Sequence, residues 1–185
     1  VVQPNGLEIQ FNKSLDSLSV FSATNAFNPA LTVDLITVSE SYPRKVTYSF
    51  LENIAASQLY QFTISNLQDC WTNSATVNGQ FIIPGNPVLG DVIITEFMAD
   101  PSPVIGLPEL EFVEIHNKSN KYFDITGWKL GDNATDGTIT SGWLAPGDYL
   151  VLCAATSVSQ FPGSVAVTSF PSLNNTVDDV VIKDA

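Results

Sequence analysis

Residues 59–65, L-Y-Q-F-T-I-S, alternate apolar and polar side chains, so that Tyr60, Phe62 and Ile64 share one face. This period of two is typical of a β-strand with one buried face. Similar runs lie at 7–11, 31–38 and 45–50, and Asn28-Pro29, Ser41-Tyr42-Pro43 and residues 66–69 supply turn signals. Helical periodicity is hard to find anywhere in the chain. The first half is therefore predicted to form a β-sandwich.

Strand-like segments continue through the second half of the chain, at 91–99, 111–117, 123–131, 149–154, 165–170 and 180–183. Between the halves, Pro84-Gly85-Asn86-Pro87 places two prolines and a glycine within four residues, which interrupts strand pairing. The pattern predicts an all-β chain of two tandem β-sandwich domains, 1–86 and 87–185, with residues 84–90 as the connector.

The composition limits the classes of partner. With 185 residues, 44% of them hydrophobic, the chain is long enough to bury two cores. Seven basic residues stand against 19 acidic ones, so no basic patch is available to neutralise phosphates. We expect no nucleic-acid partner. We also expect no membrane insertion, because no apolar run approaches the ~20 residues that span a bilayer.

Four motifs occur in order in the second half: V-I-I-T-E-F at 92–97, E-F-V-E-I-H-N-K-S-N at 111–120, G-W-K-L at 127–130 and A-P-G-D-Y-L-V-L at 145–152. Together they resemble the lamin tail domain, in its bacterial type, over residues 91–185. The resemblance implies an immunoglobulin-like sandwich. It also implies a further strand after 180–183, so we expect the chain to be incomplete at its C-terminus, with one sheet edge open.

The first half, 1–83, resembles a bacterial immunoglobulin-like domain in L-E-I-Q-F-N-K-S-L-D at 7–16, in 59–65 and in D-C-W-T-N at 69–73. The two resemblances imply two tandem immunoglobulin-like β-sandwich domains. The chain begins at Val1 and its one methionine is Met98. We therefore expect a piece of a longer bacterial protein that is secreted or displayed at the cell surface, with the neighbouring domains of that protein as partners.

Trp128 and the run 149–153 are both assigned to the fold of the second half. Gly127 permits a tight turn before Trp128, whose ring is predicted to anchor the core. The uninterrupted apolar run 149–153 is predicted to be a central strand.

Cys70 and Cys153 are interpreted as two small apolar residues in separate cores, with a disulfide between them as the alternative.

The sequence predicts no enzyme. His116 is the sole histidine, so every Ser-His-Asp or Cys-His arrangement would have to include it, and no G-x-S-x-G, H-E-x-x-H or C-x-x-C motif occurs. On the alternating strand 111–117, His116 shares a face with Phe112 and Glu114. A half-buried histidine near a carboxylate is typically structural. We predict no catalytic residue and no cofactor, with calcium as the one exception considered.

The candidate calcium ligands are Asp100, Glu109 and Glu111, because a proline-rich loop between them can bring their carboxylates to one end of the sandwich. Residues 87–185 also hold 13 of the 19 acidic residues and 4 of the 7 basic ones, which favours the approach of cations. The preferred interpretation is a solvated acidic rim, because no complete calcium-loop pattern is present. A second acidic loop, 132–137, lacks the distal glutamate of a calcium loop and is predicted to be a turn.

Trp71 and Trp143 lie in or beside predicted loops, where an exposed aromatic ring can stack on a sugar. The preferred interpretation is that each covers the edge of a core, and sugar stacking is the alternative. The leading hypothesis is a pair of non-enzymatic modules that space, display or attach a neighbouring domain. The second is a module that binds polysaccharide or a surface partner, with or without calcium. An enzyme is the third, and it would need His116 or an acidic pair at the floor of a pocket.

Overall fold

A computed structural model describes residues 1–39, 45–102, 106–132, 135–174 and 179–185. The turn predicted at 41–43 lies outside these residues. The chain is mostly β and divides into two compact units, Val1–Ile83 and Pro84–Ala185. Among the described residues, no helix is long and apolar enough to cross a membrane.

Within its described residues, the first unit contains seven strands and one short helix. They are β1 (Val2–Gln3), β2 (Gly6–Gln10), α1 (Ser17–Ser22), β3 (Thr24–Asn28), β4 (Val33–Val38), β5 (Lys45–Phe50), β6 (Tyr60–Gln68) and β7 (Ser74–Phe81). One sheet has the order β1-β2-β5-β4 and the other has the order β3-β6-β7, and every pair is antiparallel.

Both sheets of the first unit contribute side chains to one core, so they form two packed layers. The predicted alternation of β6 is confirmed, because Tyr60, Phe62 and Ile64 are buried while Gln61 between them is exposed. The buried members are Leu7, Leu15, Val20, Val46, Tyr48, Phe50, Ile54, Tyr60, Phe62, Ile64, Leu67 and Phe81.

The sequence patterns predicted β2, β4, β5 and β6 but not β3, β7 or α1. Most side chains of β7 are exposed, so the strand carries no clear apolar alternation. Helix α1 spans six residues, too few to show a helical period. It begins because the Asp16 carboxylate accepts a hydrogen bond from the Ser19 backbone N–H at 2.8 Å.

The second unit contains nine strands and a 3₁₀ turn. They are β8 (Val92–Met98), β9 (Phe112–Asn117), β10 (Phe123–Asp124), β11 (Lys129–Gly131), β12 (Asp136–Ile139), β13 (Trp143–Leu144), β14 (Tyr149–Ala154), β15 (Val165–Thr168) and β16 (Val181–Lys183), with the 3₁₀ turn at Val158–Gln160. Seven strands form one sheet of order β16-β11-β12-β15-β14-β9-β8, and β10 pairs with β13.

The seven-stranded sheet curls around one core. All seven strands contribute to that core, and the two outermost strands, β8 and β16, contact each other. β14 pairs with β9 on one side and with β15, in parallel, on the other, which confirms its prediction as a central strand. The buried members are Val113, Ile115, Phe123, Ile125, Trp128, Leu130, Ile139, Leu144, Leu152, Val167 and Leu173.

The strand predicted over 123–131 is wrong as a single element. β10 belongs to the two-stranded sheet and β11 to the seven-stranded one, and the chain turns between them. Gly127 has φ +85°, and the Trp128 N–H donates to the Ile125 carbonyl at 3.1 Å. This turn carries Trp128 into the core, where it is 6% exposed, as its prediction required.

Residues 84–86, which the sequence assigned to the first domain, hydrogen-bond to the second unit. The Gly85 N–H donates to the Tyr122 carbonyl at 2.8 Å, and Lys121 Nζ donates to the Asn86 carbonyl at 3.2 Å. Residues 84–91 form neither helix nor strand. The second unit therefore begins at Pro84 rather than at Pro87.

Candidate functional site

The predicted calcium ligands occupy the loop between β8 and β9. Asp100 and Glu109 are exposed, and Asp100 Oδ1 accepts a hydrogen bond from the Ser102 N–H at 3.2 Å. Glu111 is half-buried. Within the described ranges, the structure brings together no group of three or more His, Cys, Asp or Glu side chains that could hold a metal ion. Residues 103–105 of this loop lie outside those ranges.

The second acidic loop, 132–137, contains a turn made by its first residue. Asp132 Oδ1 accepts hydrogen bonds from the backbone N–H and from the hydroxyl of Thr135. This is the turn chemistry that the sequence predicted for the loop. Residues 133 and 134 lie outside the described residues.

The ring of His116 lies on the outer face of the seven-stranded sheet, stacked on Tyr149. The ring centroids are 4.0 Å apart and the planes differ by 12°. His116 Nδ1 is 3.1 Å from the Asp148 carbonyl oxygen. Because a carbonyl oxygen only accepts, the Nδ1–H group is the donor of this hydrogen bond. His116 is thus positioned by a stacked ring and a backbone group.

The alternation predicted for 111–117 is confirmed by the two faces of β9. Val113 and Ile115 point into the core, while Glu114 lies on the outer face with His116. The Thr95 hydroxyl donates to Glu114 Oε1 at 2.7 Å. This contact occupies the carboxylate nearest to His116 along the strand.

The cysteines occupy different environments and both are free thiols. Cys153 is buried and packs in a small cluster with Phe112 and Phe161, which confirms the prediction of a core position. For Cys70 that prediction is wrong, because Cys70 is exposed. It lies in the tight loop 69–73, which hydrogen bonds to the Asp69 carboxylate hold at the surface.

Two of the three tryptophans are exposed. The side chain of Trp71 is 78% exposed and that of Trp143 is 50% exposed, whereas Trp128 is buried. Trp143 lies in β13, and its neighbour Leu144 points into the core in its place. The interpretation of Trp71 as a ring that covers a core edge is therefore wrong.

The loop 69–73 is fixed around the carboxylate of Asp69, whose side chain is 7% exposed. Asp69 Oδ1 accepts the backbone N–H of Trp71 at 2.9 Å and that of Asn73 at 3.0 Å. The Asn73 amide donates to both carboxylate oxygens, at 3.1 and 2.9 Å. Hydrogen bonds from the Asn73 side chain, and then from the Asn73 backbone, hold the pKa of Asp69 below its usual value. Four hydrogen bonds to one ionised carboxylate therefore hold the loop.

A groove of about 380 Å³ lies beside the indole ring. We call it the Trp71 groove, and its lining residues are Asn12, Lys13, Ser14, Asp69, Trp71 and Asn73. An adjoining, more apolar hollow of about 200 Å³ shares four of these residues and adds Phe11, Leu15 and Val77 among others.

Sequence analysis singled out Trp71 but missed the polar residues around it. The missed residues belong to two quoted motifs, N-K-S at 12–14 and D-C-W-T-N at 69–73. An isolated antiparallel bridge between Leu15 and Asp69 brings the two motifs together. The signal was present in the sequence, but only this long-range contact joins its two parts.

Comparison with known proteins identifies the second unit. Residues 86–185, more than half of the chain, match the family model of the Lamin Tail Domain. No curated protein matches the chain. The match begins within three residues of the start of the second unit, so the family and the compact unit coincide. The chain belongs to the lamin tail domain family.

Proposed function

We propose that the chain is a pair of non-enzymatic immunoglobulin-like modules that space, display or attach a neighbouring domain. Its parent would be a secreted or cell-surface bacterial protein of several domains. In this proposal the first unit is a bacterial immunoglobulin-like domain and the second is a lamin tail domain of the bacterial type.

The observation that carries the proposal is the family of the second unit. The lamin tail domain is an immunoglobulin-like structural family and not a family of enzymes. Two further features support it. Each unit encloses a core of its own, and His116, the sole histidine, is engaged with Tyr149 and a backbone carbonyl.

A replacement experiment tests this proposal. In the longer protein, the segment is exchanged for two unrelated immunoglobulin-like domains of the same length. A spacer predicts that the activity and surface display of the neighbouring domains are retained. Loss of either would contradict the proposal. Turnover in a broad hydrolase screen that disappears with His116→Ala would instead support an enzyme.

A second candidate function is the binding of a polysaccharide or a surface partner. One observation favours it, the exposed Trp71 ring beside a polar groove. In this case the replacement experiment would remove adhesion while the activity of the neighbouring domains remained.

A further inference from the structure

We propose that the Trp71 groove binds uncharged sugar units of a polysaccharide, with Trp71 as the stacking platform. This inference rests on the second candidate function and names its site and its ligand class.

The first argument is that a loop held by hydrogen bonds to Asp69 presents an unburied ring. The hydrogen bonds to Asp69 fix the backbone at Trp71 and Asn73, yet the indole is 78% exposed and adds little to the core. A large aromatic ring held in place without burial is typical of binding surfaces, where it supplies contact area with little loss of side-chain entropy. The exposed ring is therefore suited to contact a ligand rather than to pack in the core.

The second argument is size. At about 380 Å³, the Trp71 groove falls in the range of roughly 300–1,000 Å³ that small-molecule sites occupy. The adjoining hollow shares Asn12, Lys13, Asp69 and Asn73 and extends the surface beyond the ring. The groove and the hollow therefore offer two adjoining surfaces to consecutive units of a polymer.

The third argument is hydrogen bonding. Asn12 and Ser14 line the groove, and within the described residues their side chains have no hydrogen-bond partner. A hydroxyl and a carboxamide each donate and accept. Sugar hydroxyls do the same, and the C–H face of a pyranose ring is apolar enough to stack on indole. The lining thus offers an aromatic ring to the face of a sugar and polar groups to its hydroxyls.

The fourth argument is charge. Lys13 is the one cation that lines the groove, and its Nζ lies 3.8 Å from Asp69 Oδ2. Because this carboxylate offsets the ammonium, the lining carries no net charge to attract an anionic polymer. The chain as a whole carries −12 and repels polyanions at long range. An uncharged polysaccharide is therefore favoured over an acidic one.

Titration of the full chain with soluble hexasaccharides tests the proposal. The probes are β-1,4-linked oligomers of glucose, xylose and mannose, followed by calorimetry and by tryptophan emission. We expect at least one probe to bind. Trp71→Ala should lower the association constant of that probe at least about tenfold. An aromatic anchor that the ligand buries contributes on the order of 1.4 kcal/mol or more to binding. Binding should be unchanged between low salt and about 0.5 M salt.

Two variants act as controls. Trp143→Ala removes the other exposed tryptophan, which lies in the second unit, and should leave the association constant within about twofold. Asn12→Ala should weaken binding without changing the melting temperature, because Asn12 is exposed. A retained melting temperature in Trp71→Ala establishes that the variant is folded.

Several outcomes would overturn the inference. Sugar binding that survives Trp71→Ala would refute this site and leave the second candidate function standing. Failure of all three probes would refute the sugar ligand and leave a surface partner as the ligand of the second candidate function. Tighter binding of polygalacturonate than of the neutral oligomers would refute the uncharged ligand class, and binding of a proline-rich peptide alone would refute a sugar.

Discussion

Gly79 of β7 lies directly opposite Phe62 of β6, and a Cβ at position 79 would lie 2.4 Å from Phe62 Cζ. No side chain fits at that distance, so only glycine at position 79 leaves room for the Phe62 ring over the strand. The ring in turn belongs to the core of the first unit. A residue that looks like a turn signal in the sequence is thus required by packing.

We expect Gly79→Ala to destabilise the first unit by about 1–3 kcal/mol, because Phe62 must leave its position in a packed core. Urea unfolding measures the change. Thr76→Ala is the matched control, since Thr76 is an exposed residue of the same strand and should change stability by less than about 0.5 kcal/mol. Equal stability of the two variants would contradict the packing argument.

Asn117→Asp is expected to destabilise the second unit by more than Gly79→Ala destabilises the first. The buried Asn117 amide nitrogen donates to the carbonyls of Lys121, Leu144 and Ala145, at 2.7, 3.2 and 3.0 Å. A carboxylate would face these oxygens with no proton to donate. We expect a loss of more than about 3 kcal/mol, typical of an uncompensated buried charge.

The control for this variant is Asn120→Asp, which makes the same change of charge at an exposed position three residues away. Its unfolding midpoint in urea should stay close to that of the original chain. A similar small effect of Asn117→Asp would show that the carbonyls find other donors.

The pH dependence of the loop 69–73 follows from the lowered pKa of Asp69. The ordinary value is about 3.9, and the folded value lies below it. The contribution of this carboxylate to stability is therefore complete above about pH 4 and is lost as the pH falls through the folded pKa. The backbone N–H resonances of Trp71 and Asn73 should titrate with a midpoint below 3.9.

Asn73→Ala provides the comparison, because the Asn73 side chain is the largest cause of the lowered pKa. The midpoint should rise toward the ordinary aspartate value in this variant. An unchanged midpoint would mean that the backbone N–H groups alone stabilise the carboxylate.

Calcium should not stabilise the second unit. Asp100, Glu109 and Glu111 form no metal-binding group among the described residues. If the calcium concentration were 100 times the dissociation constant of a site, binding would add ~2.7 kcal/mol to the free energy of unfolding. We expect the same melting temperature in millimolar calcium and in excess chelator. A rise of several degrees with calcium would restore the site proposed from the sequence.

The strands that could be predicted are those in which burial alternates along a single segment. β6 is the clearest case, because every second side chain from Tyr60 to Ile64 enters the core. β7 could not be found in this way, because position 79 must be glycine to leave room for Phe62, which lies on another strand. Strand propensity is decided by such neighbours as much as by the segment itself.

The candidate site shows the same division. The exposure of Trp71 could be suspected from its place in a loop, whereas the meeting of residues 12–14 with 69–73 depends on the bridge between Leu15 and Asp69. The charge of the second half suggested calcium, but net charge does not bring carboxylates to one point. Sequence patterns indicate which groups are present, and the long-range pairing decides which of them meet.

The curled sheet of the second unit has a mechanical consequence. From the ladder directions, β8 and β16 run antiparallel, and Val88, Gly90 and Val92 line one pocket with Ile182 and Lys183. The N-terminal end of β8 and the C-terminal end of β16 thus lie at the same end of the curled sheet. Tension between those ends would load the β8–β9 and β16–β11 ladders from that end, so we expect their hydrogen bonds to open one after another rather than all at once.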